Sequence, residues 1–149
     1  LGEGQIYDSN RYTICGMLVK LGCEVYDMGV IADDPTLIEN AFADASKIAD
    51  VVITSGGVSV GEADFVKQML NKLGEVLFWK IAMKPGRPMA YGKIGNAHFF
   101  GLPGNPVAVM VTFYQFVREA LLVTYPTRMP SPTARLSASE ACGIARSPA

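Results

Sequence analysis

The chain has 149 residues, half of them hydrophobic, and 13 basic against 14 acidic side chains leave a formal net charge of −1. That is enough apolar material for one globular domain with its own core, while the scattered, balanced charges exclude an electrostatic footprint for nucleic acid or anionic lipid and favour a compact, locally polar ligand. The N-terminus lacks a basic region followed by an apolar core, and the longest apolar stretch, residues 106–117, is interrupted by Thr112 and Gln115 and is too short to span a bilayer, so a soluble cytoplasmic protein that meets neither membrane nor nucleic acid is expected.

Asp8, Ser9 and Asn10 offer capping side chains for a helix to about Leu21, with Ile14, Leu18 and Leu21 on one face and Gly22 as its stop. CEVYDMGVI, residues 23–31, reads as a strand. Asp34-Pro35 supplies a cap followed by proline at the first helical position, and Leu37, Ile38, Ala41, Phe42 and Ala45 line one face of a helix to about Lys47. Val51-Val52-Ile53 is a short continuous apolar run, as expected of a parallel strand covered on both faces. A third helix over about 64–73 buries Phe65, Val66, Met69, Leu70 and Leu73, and Gly74 ends it. VLFWKIAM, residues 76–83, is the next strand. Residues 88–93 and 97–100 form a hairpin around Ile94-Gly95-Asn96, and residues 106–122 form the last helix.

The alternation predicts an α/β fold: a doubly wound, mostly parallel sheet sandwiched by helices, with a small β-hairpin. Residues 1–123 make up this unit. Residues 124–149, with Pro126, Pro130, Pro132 and Pro148 among small polar residues, read as a linker or the opening of a further domain. Cys15, Cys23 and Cys142 show no CxxC spacing and only one histidine exists, so reduced thiols fit better than disulfides or a zinc site. Cys15, Cys23 and His98 are read as structural.

In such a sheet, ligands gather at the carboxyl ends of the strands. Three loops should meet there: residues 30–34, 55–64 and 101–106. In the second, Gly56 and Gly57 allow close backbone approach, while Ser55 and Ser59 add hydroxyls. In the third, Pro103, Gly104 and Asn105 precede a helix N-terminus whose unpaired amides favour phosphate. Either glycine pair alone is more simply a tight turn; two on one edge favour a ligand. Asp33 and Asp64 stand at helix mouths on that edge, where carboxylates suit magnesium bridging phosphate oxygens, although capping is the simpler role for Asp64 and for Asp34. Lys80 and Lys84, at i and i+4 in WKIAMKPGRP, would share a strand face in an apolar setting before the turn at Pro85-Gly86, and lysine in such a setting usually has an anionic partner.

TSGGVSVGEADF, FWKIAMKPGRP and GLPGNPVAVMVTFYQ, in this order and preceded by GQIYDSN, resemble the central domain of the molybdopterin molybdenumtransferase family, which includes gephyrin-type enzymes. The likeness covers roughly residues 4–122, and several long motifs in register are far more specific than one glycine pair. The tail ARLSASEACGIARSPA is similar to the beginning of that family's C-terminal β domain, cut short.

The resemblance implies insertion of molybdate into adenylylated molybdopterin with release of AMP, assisted by magnesium. By position it assigns Asp33, Asp64, Lys80 and Lys84 to the active site, with Asp33 and Asp64 as metal ligands. It assigns Thr54, Ser55, Gly56 and Gly57 together with Pro103, Gly104, Asn105 and Pro106 to the pterin and phosphate cradle. Lys84 beside Pro85, Gly86 and Arg87 becomes a docking point for the molybdate dianion. The family also implies a homo-oligomer, a dimer at full length and a trimer for an isolated domain. The family's opening strand and acidic GDEL-type turn should precede Leu1, which would leave the sheet without one parallel neighbour and allow binding without catalysis. Two other functions fit the same residues: molybdopterin adenylyltransferase, against which the proline-rich continuation past Tyr125 argues, and a non-catalytic scaffold module that keeps the pocket.

Overall fold

The computed structural model describes residues 9–32, 34–56, 63–78, 82–84, 88–124, 133–137 and 142–146, with the backbone alone at 63–67, 76, 78 and the two segments beyond 132. In chain order the elements are α1 (Ser9–Lys20), β1 (Glu24–Tyr26), α2 (Pro35–Ile48), β2 (Val51–Ser55), α3 (Ala63–Leu73), β3 (Gly74–Phe78), β4 (Ala90–Ile94), β5 (Ala97–Leu102), α4 (Pro106–Thr112), a π-helical stretch (Phe113–Val117), α5 (Arg118–Thr124), β6 (Thr133–Ser137) and β7 (Cys142–Arg146).

The sheet is built around β2. Its residues Val51 to Ser55 are all buried, because alternate side chains feed two cores on opposite faces. Val51 and Ile53 pack with Phe100 and Leu102 against Ile14 and Leu18 of α1 and Val109, Phe113, Val117 and Leu121 of the last helical segment. Val52 packs with Phe99 against Phe42 and Ala45 of α2 and Met69 and Leu70 of α3. The sheet is thus sandwiched by helices, the fold class expected from the sequence.

β2 and β5 are parallel, with Val51 opposite His98 and Ser55 opposite Leu102. β4 is antiparallel to β5 across the Gly95-Asn96 turn, with Gly95 at φ 58°, a conformation glycine adopts without strain. β3 is antiparallel to β4. It follows that β2, β3 and β5 run the same way and end at one edge of the sheet. β1 ends at this edge too, since it is parallel to β6, which is parallel to β2.

Local signals located most elements. The Asp34 carboxylate accepts from the Thr36 and Leu37 amides at 2.8 and 3.0 Å, with Pro35 at the first helical position. Gly22 follows α1 at φ 80°. Other expectations are corrected. The strand over 23–31 shortens to the three residues of β1, since Asp27 turns the chain by accepting from the Gly29 amide. Leu37 lies on the outer side of α2 and is 51% exposed. Of the strand expected over 76–83, the described part is β3, which already starts at Gly74 and is given to Phe78; residues 79–81 lie outside the described residues, and Lys84 lies in a bend and not on a strand. Asn10, read as a cap, lies inside the first turn of α1.

The last helical segment runs from Pro106 to Thr124, 19 residues with a hydropathy of 1.4, long and apolar enough by those measures alone to cross a membrane. This is longer than the span read from the sequence. Its stripe of Val109, Phe113, Val117 and Leu121 is occupied by the sheet and α1. Beyond residue 132, β6 and β7 lie between β1 and β2 in the sheet, the slot the sequence reading left empty.

Candidate functional site

The edge where β1, β2, β3 and β5 end is assembled from loops that hold one another. The Gly56 amide donates to the Leu102 carbonyl at 3.1 Å, with Gly56 in the left-handed region at φ 85°. The Ser55 hydroxyl reaches the Pro103 carbonyl at 3.4 Å, at the long end of hydrogen-bond range. A Cβ on Gly104 would stand 3.9 Å from the Gly56 Cα, so the glycine loops after β2 and β5 touch. Two of the three loops expected at one edge are therefore adjoining.

Adjacent residues of β2 divide the work. Ser55, on the α1 side, is engaged with the neighbouring loop. Thr54, on the α2 and α3 side by strand alternation, is only 6% exposed and its Oγ1 has no hydrogen-bond partner among the described residues. Native proteins rarely leave a buried hydroxyl unpartnered, so Thr54 is the member of this pair suited to meet a ligand.

The reading of the PGNP loop as a set of free amides needs correction. Asn105 is the N-cap of α4, and its Oδ1 accepts from the Val107 and Ala108 amides at 3.0 and 3.1 Å. Pro106 has no amide hydrogen to offer. The helix dipole still points its positive end at the edge, but these two donors are already satisfied by the short asparagine side chain.

Lys84 lies in a bend and is exposed, with no ion-pair partner among the described residues. This corrects the apolar setting expected for it, and leaves its ammonium free to reach an anion. Asp33, Gly57, Ser59, Lys80, Pro85, Gly86 and Arg87 lie outside the described residues. Asp64 contributes its backbone to the first turn of α3, and its carboxylate lies outside the described residues as well. Among the described residues no group of three His, Cys, Asp or Glu side chains gathers as a metal site.

One residue of the edge was missed. The Asn10 Nδ2 donates to the Gly104 carbonyl at 2.7 Å across 94 positions of sequence, tying α1 to the PGNP loop. Its place in GQIYDSN, at the start of a helix that must begin on this edge, was the available signal.

The residues read as structural behave so. His98 Nδ1 is 2.9 Å from the Tyr91 hydroxyl on the neighbouring strand, and burial, then the charge of Lys93, lowers its pKa from 6.5. Both belong to a small cavity with Val51, Phe100 and Leu121, at the opposite edge where β2 and β5 begin. Burial raises the Cys23 thiol to about 11, which leaves it neutral and inert; neither Cys15 nor Cys23 is in a disulfide.

Residues 1–123 match the family model described as "Probable molybdopterin binding domain". A protein named molybdopterin molybdenumtransferase from Haemophilus influenzae is 60% identical over 121 residues, covering 81% of this chain and 30% of that protein. One named gephyrin from Dictyostelium discoideum is 37% identical over 144 residues, covering 80% of this chain and 20% of its own length. The crystal structure of a molybdopterin biosynthesis protein from Pyrococcus horikosii superposes with a TM-score of 0.76 at 34% identity, covering 91% of this chain and 33% of that one. The chain thus spans a third or less of each of these three relatives.

Proposed function

Since the chain belongs to the molybdopterin-binding domain family, we propose that it is the substrate-binding part of a molybdopterin molybdenumtransferase, acting in molybdenum cofactor biosynthesis. The substrates are adenylylated molybdopterin and molybdate, and AMP is released. The observation that carries this reading is the contact between the two glycine loops at one sheet edge, with the unpartnered Thr54 hydroxyl beside them.

The reaction breaks a phosphoanhydride and places an oxyanion's metal on the dithiolene sulfurs, so the protein must chiefly hold anions and position them. The joined loops provide a rigid floor where a backbone can approach the pterin. Thr54 supplies a hydroxyl. Lys84, with Lys80 and Arg87 on the same segment, neutralises molybdate and the phosphate oxygens. Asp34 is engaged as a cap; Asp33 and Asp64, at the positions the family resemblance assigns to the active site, are the carboxylates that would hold magnesium, whose hard-oxygen preference they match. Bound there, magnesium would neutralise charge on the phosphate oxygens. The proposed reading includes a cytoplasmic setting and a homo-oligomer.

The test has two stages. Calorimetry on the chain measures binding of adenylylated molybdopterin. Turnover is then followed as AMP release with molybdate, in the Haemophilus influenzae relative whose matching segment is replaced by this chain. AMP release that requires molybdate is expected. Binding without turnover would instead identify a scaffold module, and adenylylation of molybdopterin from ATP would identify an adenylyltransferase.

A further inference from the structure

The Asn10 side chain is fixed at one end and unanswered at the other. Its amide nitrogen must be the atom facing Gly104, because a carbonyl accepts only from a donor, and the 2.7 Å contact sets that orientation. The Oδ1 at the other end is shielded from solvent and has no partner among the described residues. The residue as a whole is only half-buried, and it sits where the start of α1 meets the PGNP loop.

Three donors of the described loops are already engaged: the Gly56 amide by Leu102, and the Val107 and Ala108 amides by Asn105. Among the described residues none donates to the Asn10 oxygen. A neutral amide oxygen is also the wrong partner for a phosphate or molybdate oxygen, since two acceptors repel. It suits an N–H group.

Resting on the proposed function, we propose that Asn10 is a specificity-determining residue of this edge: its Nδ2 clamps the Gly104 carbonyl while its Oδ1 accepts from the exocyclic amino group of a nitrogen heterocycle. In adenylylated molybdopterin that chemistry occurs on the pterin and on the adenine. A site that hydrogen-bonds such a group rejects the analogue lacking it, because the buried acceptor is then left unpaired.

The experiment measures affinities of the chain for two ligand pairs by calorimetry: AMP against purine riboside 5′-monophosphate, and a phosphorylated pterin against its lumazine counterpart, which carries oxygen in place of the 2-amino group. The native chain should prefer the amino-bearing member of one pair by about tenfold, and the pair that discriminates identifies which ring Asn10 meets. Asn10→Ala should abolish that preference. Asn10→Asp keeps an acceptor while losing the clamp, so it should weaken both members yet retain the preference, and it serves if the alanine variant does not fold. If Asn10→Ala weakens all four ligands equally, or none, Asn10 is a loop clamp only and the inference is overturned. If the native chain binds none of the four, the substrate-binding function itself is what fails, and the inference falls with it.

Discussion

His98 is the one histidine, and its environment ties stability to pH. Its folded-state pKa lies below 6.5, chiefly through burial and then through Lys93 directly across the strand pair. A depressed folded value means the unfolded chain takes up the proton first, so the contribution is present above 6.5 and is lost as pH falls through the folded value. Thermal midpoints measured between pH 8 and 5 should fall on the acid side more for the native chain than for His98→Gln, which keeps a polar group near the Tyr91 hydroxyl without titrating. Parallel curves would remove the assignment. Lys84 is the other residue whose surroundings decide a test. Because it is exposed, Lys84→Met should leave the thermal midpoint nearly unchanged. In the chimeric enzyme it should weaken molybdate dependence roughly ten- to a hundred-fold, as for a charge-assisted contact of about 1.5–3 kcal/mol. An unaltered molybdate dependence would take Lys84 out of the site.

At the scale of elements, the close approach at the start of β3 is the sharpest constraint. Gly74 pairs with Ile94 in the antiparallel ladder, and a Cβ at Gly74 would stand 1.8 Å from the Lys93 carbonyl oxygen. No side-chain rotation relieves a clash with backbone, so Gly74→Ala should destabilise the chain by about 1–3 kcal/mol, read as a lower denaturant midpoint with an unchanged slope. A neutral result would mean β3 does not pair in this register. The sequence marked Gly74 as the end of a helix, which it is, but the second role depends on Lys93, nineteen positions onward, and periodicity carries no trace of it. The same division runs through the fold. Caps and turns at Asp34, Gly22 and Gly95 act over a few residues and were legible. Whether Thr54 or Ser55 meets a ligand depends on which face of β2 each occupies, and whether the α4 amides are free depends on the Asn105 rotamer; neither is written in residue type. Asn10 lay within a quoted motif, yet only the folded chain brings it to Gly104.

For the whole molecule, the open question is how the sheet is completed. The described pairings of β1 are with β6 and β7, which lie between it and β2. From the sequence alone, residues 124–149 read as a linker or the opening of a further domain, and the sheet is expected to lack one parallel neighbour. The two arrangements predict different behaviour of a chain ending at Thr124. If the tail strands complete the sheet, their removal takes away the ladder hydrogen bonds of β1, each worth about 0.5–1.5 kcal/mol net. The shortened chain should then melt at lower temperature, and amide exchange should accelerate at Val25 and Tyr26 before it does at Ile53 or Phe99 in the core. The loss should reach the ligand edge as well. The segment that follows β1 carries Asp33 and Asp34 into α2, so loosening β1 loosens the positioning of the proposed magnesium ligand, and magnesium-dependent binding of adenylylated molybdopterin should weaken in parallel with stability. Equal midpoints, equal exchange at Val25 and Tyr26, and equal affinity in the two lengths would return the tail to a separate unit, with β1 held through α1 and the packing of Cys23 and Val25 on the adjoining core.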